Sequence, residues 1–298
     1  MTNIIFCSDP LNRNKVDPSW EMEYLIAKQK NLKIHLLDFE QLASSQHLAQ
    51  AFKKVIKPES SEKAVYRGWM MPVGMYEDFY HTLLQYNLEL INTPTEYKHC
   101  FYFPESYELI KPYTPQSFFM KGNPLQAMEE LKTILHTFGD KPIMVKDYVK
   151  SQKHYWHEAC FIPKASDTEH ALKVIKKFVE LQGDNFQGGL VLREFVELEP
   201  LGKHSKSDMP LTKEYRIFIL NGQRIALNNY WDEKVYSEEE IPWQHFEQLY
   251  KDVKSHLYTM DIAKQKNGNW IIIELGDAQV AEYIGEQGLD DFYDHLST

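Results

Sequence analysis

Met260-Asp261-Ile262-Ala263 and Ile271-Ile272-Ile273-Glu274-Leu275-Gly276-Asp277 flank the pair Asn267-Gly268 near the end of the chain. Asn-Gly between two apolar runs is a strong short-range signal for a β-hairpin, so His256–Ala263 and Trp270–Leu275 are expected to pair antiparallel. Asp261 and Glu274 then sit on facing strands among apolar neighbours. Ile-Ile-Ile-Glu-Leu is a continuous apolar run, which suits a covered strand better than one whose acids alternate outward to solvent. Three acids converging there, with Asp277 as the third, repel one another unless a hard cation such as Mg²⁺ compensates them.

Working upstream, Tyr215–Leu220, Asn221-Gly222 and Arg224–Tyr230 form a second hairpin of the same kind, with a helix expected over Pro242–Lys254. Asn123-Pro124-Leu125-Gln126 reads as a helix start running to about His136, followed by a strand over Pro142–Lys146. Ser166-Asp167-Thr168-Glu169 reads as a capping box opening an amphipathic helix with Ala171, Leu172, Ile175 and Val179 on one face. The first hundred residues instead alternate strand and helix: strands over Asn3–Cys7, Lys33–Leu37, Lys63–Arg67 and Glu89–Ile91, helices over Trp20–Lys28, Gln41–Val55 and Tyr76–Tyr86. Strict alternation implies a small parallel sheet. The fold class is therefore α/β followed by α+β. A boundary is expected in the aromatic- and proline-rich stretch Thr93–Pro115, dividing the chain into 1–115 and 116–298.

A second chemical cluster lies between these halves. Lys141 to His154 holds Lys141, Lys146, Lys150, Lys153 and His154 in a chain whose 33 Lys+Arg against 43 Asp+Glu leave a net charge of −10. Such a loop surrounds a polyphosphate with point charges, or else serves as a solvated strand edge. A lysine-lined loop together with a carboxylate cluster is what a Mg²⁺–nucleotide site requires.

Other classes fall away. No apolar stretch approaches the ~20 residues of a membrane span, and the N-terminus lacks the pattern of a signal peptide. Cys7, Cys100 and Cys160 are odd in number and far apart, as expected of buried thiols in a reducing cytoplasm rather than a disulfide or zinc framework. The acidic balance disfavours long nucleic acid. His157-Glu158 is followed by Phe161 where a zinc-protease helix needs histidine. Gly-x-Gly-x-x-Gly, P-loop, Gly-x-Ser-x-Gly and Cys-x-x-Cys motifs are all missing.

In order, Ile143-Met144-Val145-Lys146, Leu190-Val191-Leu192-Arg193-Glu194-Phe195-Val196-Glu197, Lys213-Glu214-Tyr215-Arg216-Ile217-Phe218-Ile219 and Asp261…Glu274-Leu275-Gly276-Asp277 resemble the motif series of the ATP-grasp enzymes. Glutathione synthetase and D-alanine–D-alanine ligase belong to that group. The segments Tyr66-Arg67-Gly68-Trp69, Asn92-Thr93-Pro94-Thr95-Glu96-Tyr97, Val145–Ser151 and Glu274–Gln279 are similar to a clade of that superfamily named for an arginine and two lysines. Two features depart from the better-known ligases. Lysines and aromatics replace the glycine-rich phosphate loop, and Gly276-Asp277 stands where the last metal-ligating asparagine is found.

The resemblance implies an ATP-grasp fold with a pre-ATP-grasp α/β domain in front of it. It also implies a cytoplasmic, ATP- and Mg²⁺-dependent ligase that joins a carboxylate to an amine through an acyl-phosphate. Lys121, Lys146 and Lys150 would contact the nucleotide phosphates. Arg193, Glu194, Phe195 and Val196 form the linker that meets the adenine. Asp261, Glu274 and Asp277 would hold Mg²⁺. Lys153 and Arg216 would face the transferred phosphoryl group, with Asn229 assisting. Arg67, at the end of a parallel strand where ligands bind in open α/β sheets, suits the substrate carboxylate. His154, Trp156 and His157 read as packing or lid residues. The expected partners are ATP and a small carboxylate or amino-acid-like substrate, with no membrane and the oligomeric state open. A kinase on the same fold, a nucleotide-binding module without ligase activity, and a nucleic-acid ligase or modifying enzyme are the alternatives.

Overall fold

A computed structural model describes residues 2–44, 48–203, 210–231, 238–286 and 288–297. The first layer contains β1 (Asn3–Cys7), α1 (Glu21–Gln29), β2 (Lys33–Leu37), α2 (Phe39–Ala43), α3 (Leu48–Ala51), β3 (Glu62–Arg67), α4 (Val73–Gln85) and β4 (Leu88–Leu90). Its strands run β2-β1-β3-β4 with every pair parallel, as the strand–helix alternation requires. Every residue of β1 is buried, the mark of a central strand covered on both faces. The helix expected over Gln41–Val55 is instead α2 and α3, with Asp38 capping α2 through the Gln41 amide at 3.1 Å. Residues 45–47 of that expectation lie outside the described residues.

The Thr93–Pro115 stretch forms α5 (Pro94–Phe101) and α6 (Phe103–Ile110). Thr93 and Glu96 cap α5 reciprocally, and Pro94 occupies its first turn, where a missing N–H costs nothing. Next come β5 (Ser117–Lys121), α7 (Met128–Phe138), β6 (Ile143–Asp147), β7 (Phe161–Ile162), α8 (Thr168–Gln182) and β8 (Gly189–Glu194). These strands form an antiparallel sheet, β5-β8-β6-β7. One face carries Ile143, Val145, Leu190 and Leu192 into a core with Leu131, Leu135, Ile175 and Phe178 of α7 and α8. By alternation, Met144, Lys146, Val191 and Arg193 share the other face. Asn123 caps only a single 3₁₀ turn before α7. Asp167 rather than Ser166 caps α8, since Ser166 donates to Asp140 instead.

The last region holds β9 (Pro200–Lys203), β10 (Pro210–Thr212), β11 (Glu214–Leu220), β12 (Gln223–Asn229), α9 (Trp243–Glu247), β13 (Leu257–Lys264), β14 (Trp270–Asp277) and α10 (Leu289–Ser297). Both expected hairpins are present in the antiparallel sheet β12-β11-β13-β14. Asn221 and Gly222 both take positive φ, 50° and 73°, the geometry that selects Asn-Gly in such turns. The helix expected over Pro242–Lys254 is regular only across α9, after which turns carry Leu249, Tyr250 and Val253 into the core. Helix α10 returns to the start of the chain: Phe292 and Leu296 pack with Ile4, Phe6, Trp20 and Ala27. Among the described residues no helix is long and apolar enough to cross a membrane.

Candidate active site

Register in the last sheet builds the site. Asn228 of β12 pairs with Arg216 of β11, Arg216 with Asp261 of β13, and Asp261 with Glu274 of β14. Directly opposed residues point to the same face, so four polar side chains form one row across four strands. Arg216 donates from Nε and Nη2 to the two carboxylate oxygens of Asp261, at 2.9 and 2.8 Å. Desolvation works against the Arg216 cation, but Asp261 outweighs it and leaves the guanidinium above its ordinary pKa. Glu274 accepts from Lys146 Nζ at 2.6 Å, which ties β14 to β6 of the other antiparallel sheet. Desolvation alone would raise the Glu274 pKa; Lys146 first, then Lys153 and Arg193, hold it below the usual value.

These residues line a cleft of about 1190 Å³. That is room for a nucleotide and a second small molecule. The loop after β6 enters it with Lys150, Lys153, His154, Trp156 and His157. Asp147, buried at the end of β6, shapes that loop by accepting from the Val149 and Lys150 amides at 2.7 and 2.6 Å and from Gln182 Nε2 at 2.7 Å. The Lys153 ammonium lies 5.9 Å from the ring centroid of Tyr230, and the Arg216 guanidinium 5.1 Å from the same ring. Lys153 stays open to the cleft. Desolvation would lower its pKa, but Tyr230, Glu214 and Glu274 outweigh this and raise it. Glu214, on the Arg216 face of β11, has its carboxyl pushed upward by burial, against the pull of Lys153.

The β8 linker also lines the cleft, where it meets the loop after β6. Phe195 meets Phe161 at 5.0 Å and Trp156 at 5.9 Å, and Trp156 stacks on Phe161 at 5.2 Å and 8°. Glu194 takes an ion pair from Lys141 at 2.9 Å, and Val196 also borders the cleft. Arg193 acts as a brace: its buried guanidinium donates to the Ile273 carbonyl at 2.7 Å and to Thr114 Oγ1 at 2.7 Å. Burial pushes its pKa down to about 10.

Four expected site residues stand out of the row, three of them outside the cleft lining. Asp277 borders the cleft, but it pairs with Tyr258, on the face of β14 away from Asp261 and Glu274, and accepts from Asn92 Nδ2 at 2.6 Å and the Gln279 amide at 2.9 Å. An odd offset from Glu274 put it there, because strand side chains alternate. Asn229 pairs with Tyr215 of the apolar face for the same reason, so Asn228 holds the position in the row. Lys121 is exposed at the end of an edge strand and does not line the cleft. Arg67 is wholly buried outside the cleft lining, donating from Nε and Nη2 to Glu23 at 2.7 and 2.7 Å and from Nη1 to the Ala278 carbonyl.

Among the described residues no three His, Cys, Asp or Glu side chains converge as a metal cage. Asp261 and Glu274 remain as adjacent hard oxygen donors. That donor set fits Mg²⁺, which takes one or two carboxylates and completes its shell with water and phosphate oxygens.

Sequence reasoning passed over Asp147, Glu214, Tyr230, Asn228 and Glu23. Period-two alternation from Arg216 finds Glu214, and an acid two residues before loop amides signals the turn Asp147 makes. Nothing in the sequence around Glu23 marks it as the partner of Arg67.

A parallel α/β layer followed by two four-stranded antiparallel sheets that enclose a lysine- and carboxylate-lined cleft is the ATP-grasp architecture. The chain belongs to ATP-grasp domain family 3 of the clade named for an arginine and two lysines, whose profile matches residues 137–296. No curated protein matches it. Among solved structures it is similar to a RimK domain ATP-grasp protein from Sphaerobacter thermophilus, with TM-score 0.60 and 8% identity over 100% of this chain and 98% of that one. D-alanyl-alanine synthetase A from Vibrio cholerae has TM-score 0.57 and 12% identity, covering 100% of this chain and 94% of the other. The macrocyclase MdnC from Microcystis aeruginosa, solved with its precursor peptide MdnA, has TM-score 0.55 and 11% identity over 100% of both chains. At such identities the likeness is one of fold.

Proposed function

We propose that the protein is an ATP- and Mg²⁺-dependent ligase that activates a small carboxylate as an acyl-phosphate for attack by an amine. The observation that carries this reading is the meeting of Lys146, Lys153 and Arg216 with Asp261 and Glu274 in one cleft between two sheets. Every expected phosphate-facing group except Lys121 and Asn229 lines it. The structure of an ATP-grasp ligase, PsnB, with Mg and ADP is also among those the chain resembles, at 12% identity and TM-score 0.52.

In this reading Lys146 and Lys150 neutralise the phosphate chain, and the aromatic group of Trp156, Phe161 and Phe195 holds the base. Asp261 and Glu274 would hold Mg²⁺, which when bound withdraws charge from the phosphate oxygens. Arg216 and Lys153 face the phosphoryl group in transfer. The substrate carboxylate oxygen attacks the γ-phosphorus as the bond to ADP breaks. The amine nitrogen then attacks the acyl carbon, phosphate leaves, and the amine loses a proton. No side chain becomes covalently attached, so the protein acts by positioning and charge neutralisation. The N-terminal layer over residues 1–115 supplies the wall on which the second substrate is held.

The test is a panel of small carboxylates and amines incubated with Mg-ATP. ADP with free phosphate, dependent on both partners, supports ligation. A stable phosphorylated product would make the protein a kinase, and AMP with pyrophosphate would overturn the mechanism.

A further inference from the structure

Trp69 and Met70, just after β3, remain 43% and 40% exposed while bordering the cleft. Single apolar side chains at a surface are ordinary. Two adjacent ones on a pinned turn, facing a cleft, form a patch. The turn is pinned at each step. The Gly68 amide donates to the Gln279 carbonyl at 3.2 Å, the Tyr66 hydroxyl to the Trp69 carbonyl at 3.0 Å, and the Tyr97 hydroxyl to the Met71 carbonyl at 2.7 Å. Trp69 Nε1 donates to Asp17 Oδ2 at 3.1 Å, and its ring stands edge-on to buried Trp20, with centroids 6.2 Å apart at 81°. Trp20 in turn lies 5.1 Å from the Arg67 guanidinium, whose charge Glu23 neutralises.

Charge beside the patch suits an amine: Arg67 is paired and buried, and Glu282 borders the cleft next to Val280 and Ala281. Of the cations that line the cleft, Lys146 is engaged with Glu274, Arg216 with Asp261 and Lys266 with Glu197, Lys153 lies over Tyr230, and Lys150 stands on the loop after β6.

We infer that this end of the cleft is a side-chain subsite for the attacking substrate, and that it selects primary amines bearing an aromatic or large aliphatic group. The inference rests on the ligase reading. It explains what the buried Arg67 does for the site: with Glu23 it sets Trp20, and Trp20 sets Trp69.

The experiment titrates L-phenylalaninamide and glycinamide calorimetrically into the full chain saturated with Mg²⁺ and a non-hydrolysable ATP analogue. Burying an aryl group on such a surface predicts that phenylalaninamide binds at least about tenfold more tightly. Trp69→Ala and Met70→Ala should each remove most of that preference. Equal affinities in the wild type, or a preference unchanged in both variants, would overturn the subsite. The nucleotide-dependent thermal shift, read on the same samples, separates the two ideas. A shift without side-chain preference sinks the subsite alone, whereas no shift brings down the ligase reading and the subsite with it.

Discussion

Arg216 and Asp261 face each other across β11 and β13 and share two near-parallel hydrogen bonds, one strand away from Glu274. Arginine grips a carboxylate in this bidentate way more firmly than lysine, so the orientation of Asp261 is fixed by its own sheet. Asp261→Asn keeps the shape but removes the charge. Its turnover with Mg-ATP should fall at least about 100-fold, the usual effect of removing one charge-stabilising group from a transition state. Circular dichroism should be unchanged. Retained activity would remove Asp261 from the metal site.

Lys146 and Glu274 make the corresponding link between the two antiparallel sheets, at 2.6 Å. In the proposed reading a nucleotide phosphate would compete for that ammonium, and a metal ion for that carboxylate. The two variants should therefore separate cleanly. Lys146→Ala should lose most of the thermal shift given by ATP without Mg²⁺, whereas Glu274→Gln should keep it and lose the further increment that Mg²⁺ adds. An undiminished shift in Lys146→Ala would refute the nucleotide assignment.

The sheets and hairpins were legible because their signals are local. Asn221, Gly222 and Gly268 dictate turns by their positive φ, and the alternation of strand and helix over the first hundred residues dictates a parallel sheet. The cleft residues Lys146, Lys153, Arg216, Asp261 and Glu274 were legible for a similar reason, lying within strands or a loop whose ends the motifs define. Facing was harder to read. Asp277 and Asn229 are each one position out of step with the row, and a single residue flips a strand side chain to the other face. Long-range partners were not legible at all. Glu23 meets Arg67 across 44 positions of chain, and Asn92 bridges to Asp277 across 185.

Arg67 provides a prediction that distinguishes ligand binding from support. Its guanidinium is wholly buried against Glu23, and the Tyr293 hydroxyl donates to the same carboxylate at 2.7 Å. Removing one partner of a buried ion pair strands the other charge, at a cost of about 3–5 kcal/mol. Arg67→Ala should thus lower the midpoint of urea unfolding markedly. Arg67→Lys should recover little, because an ammonium cannot reproduce the fork. Normal stability in Arg67→Ala, combined with a steep rise in KM for the carboxylate, would restore Arg67 as a ligand residue.

Asp277 provides the last prediction, through pH. Burial pushes its carboxyl up to about 7, and the Asn92 and Gln279 hydrogen bonds only partly counter this. The unfolded chain releases that proton near the ordinary aspartate value of ~3.9. Between about pH 4 and 7 the folded protein accordingly holds more protons at this position than the unfolded one, so this group's contribution to stability falls as pH rises. The slope from one such proton is at most about 1.4 kcal/mol per pH unit. Asp277→Asn cannot titrate, so its stability relative to the wild type should climb from pH 5 to pH 7 and level off above the folded-state pKa. Urea unfolding midpoints of the two proteins across pH 5 to 8 measure the difference directly. A constant gap would mean that the carboxyl keeps its charge throughout, with the amides of Asn92 and Gln279 compensating its burial in full.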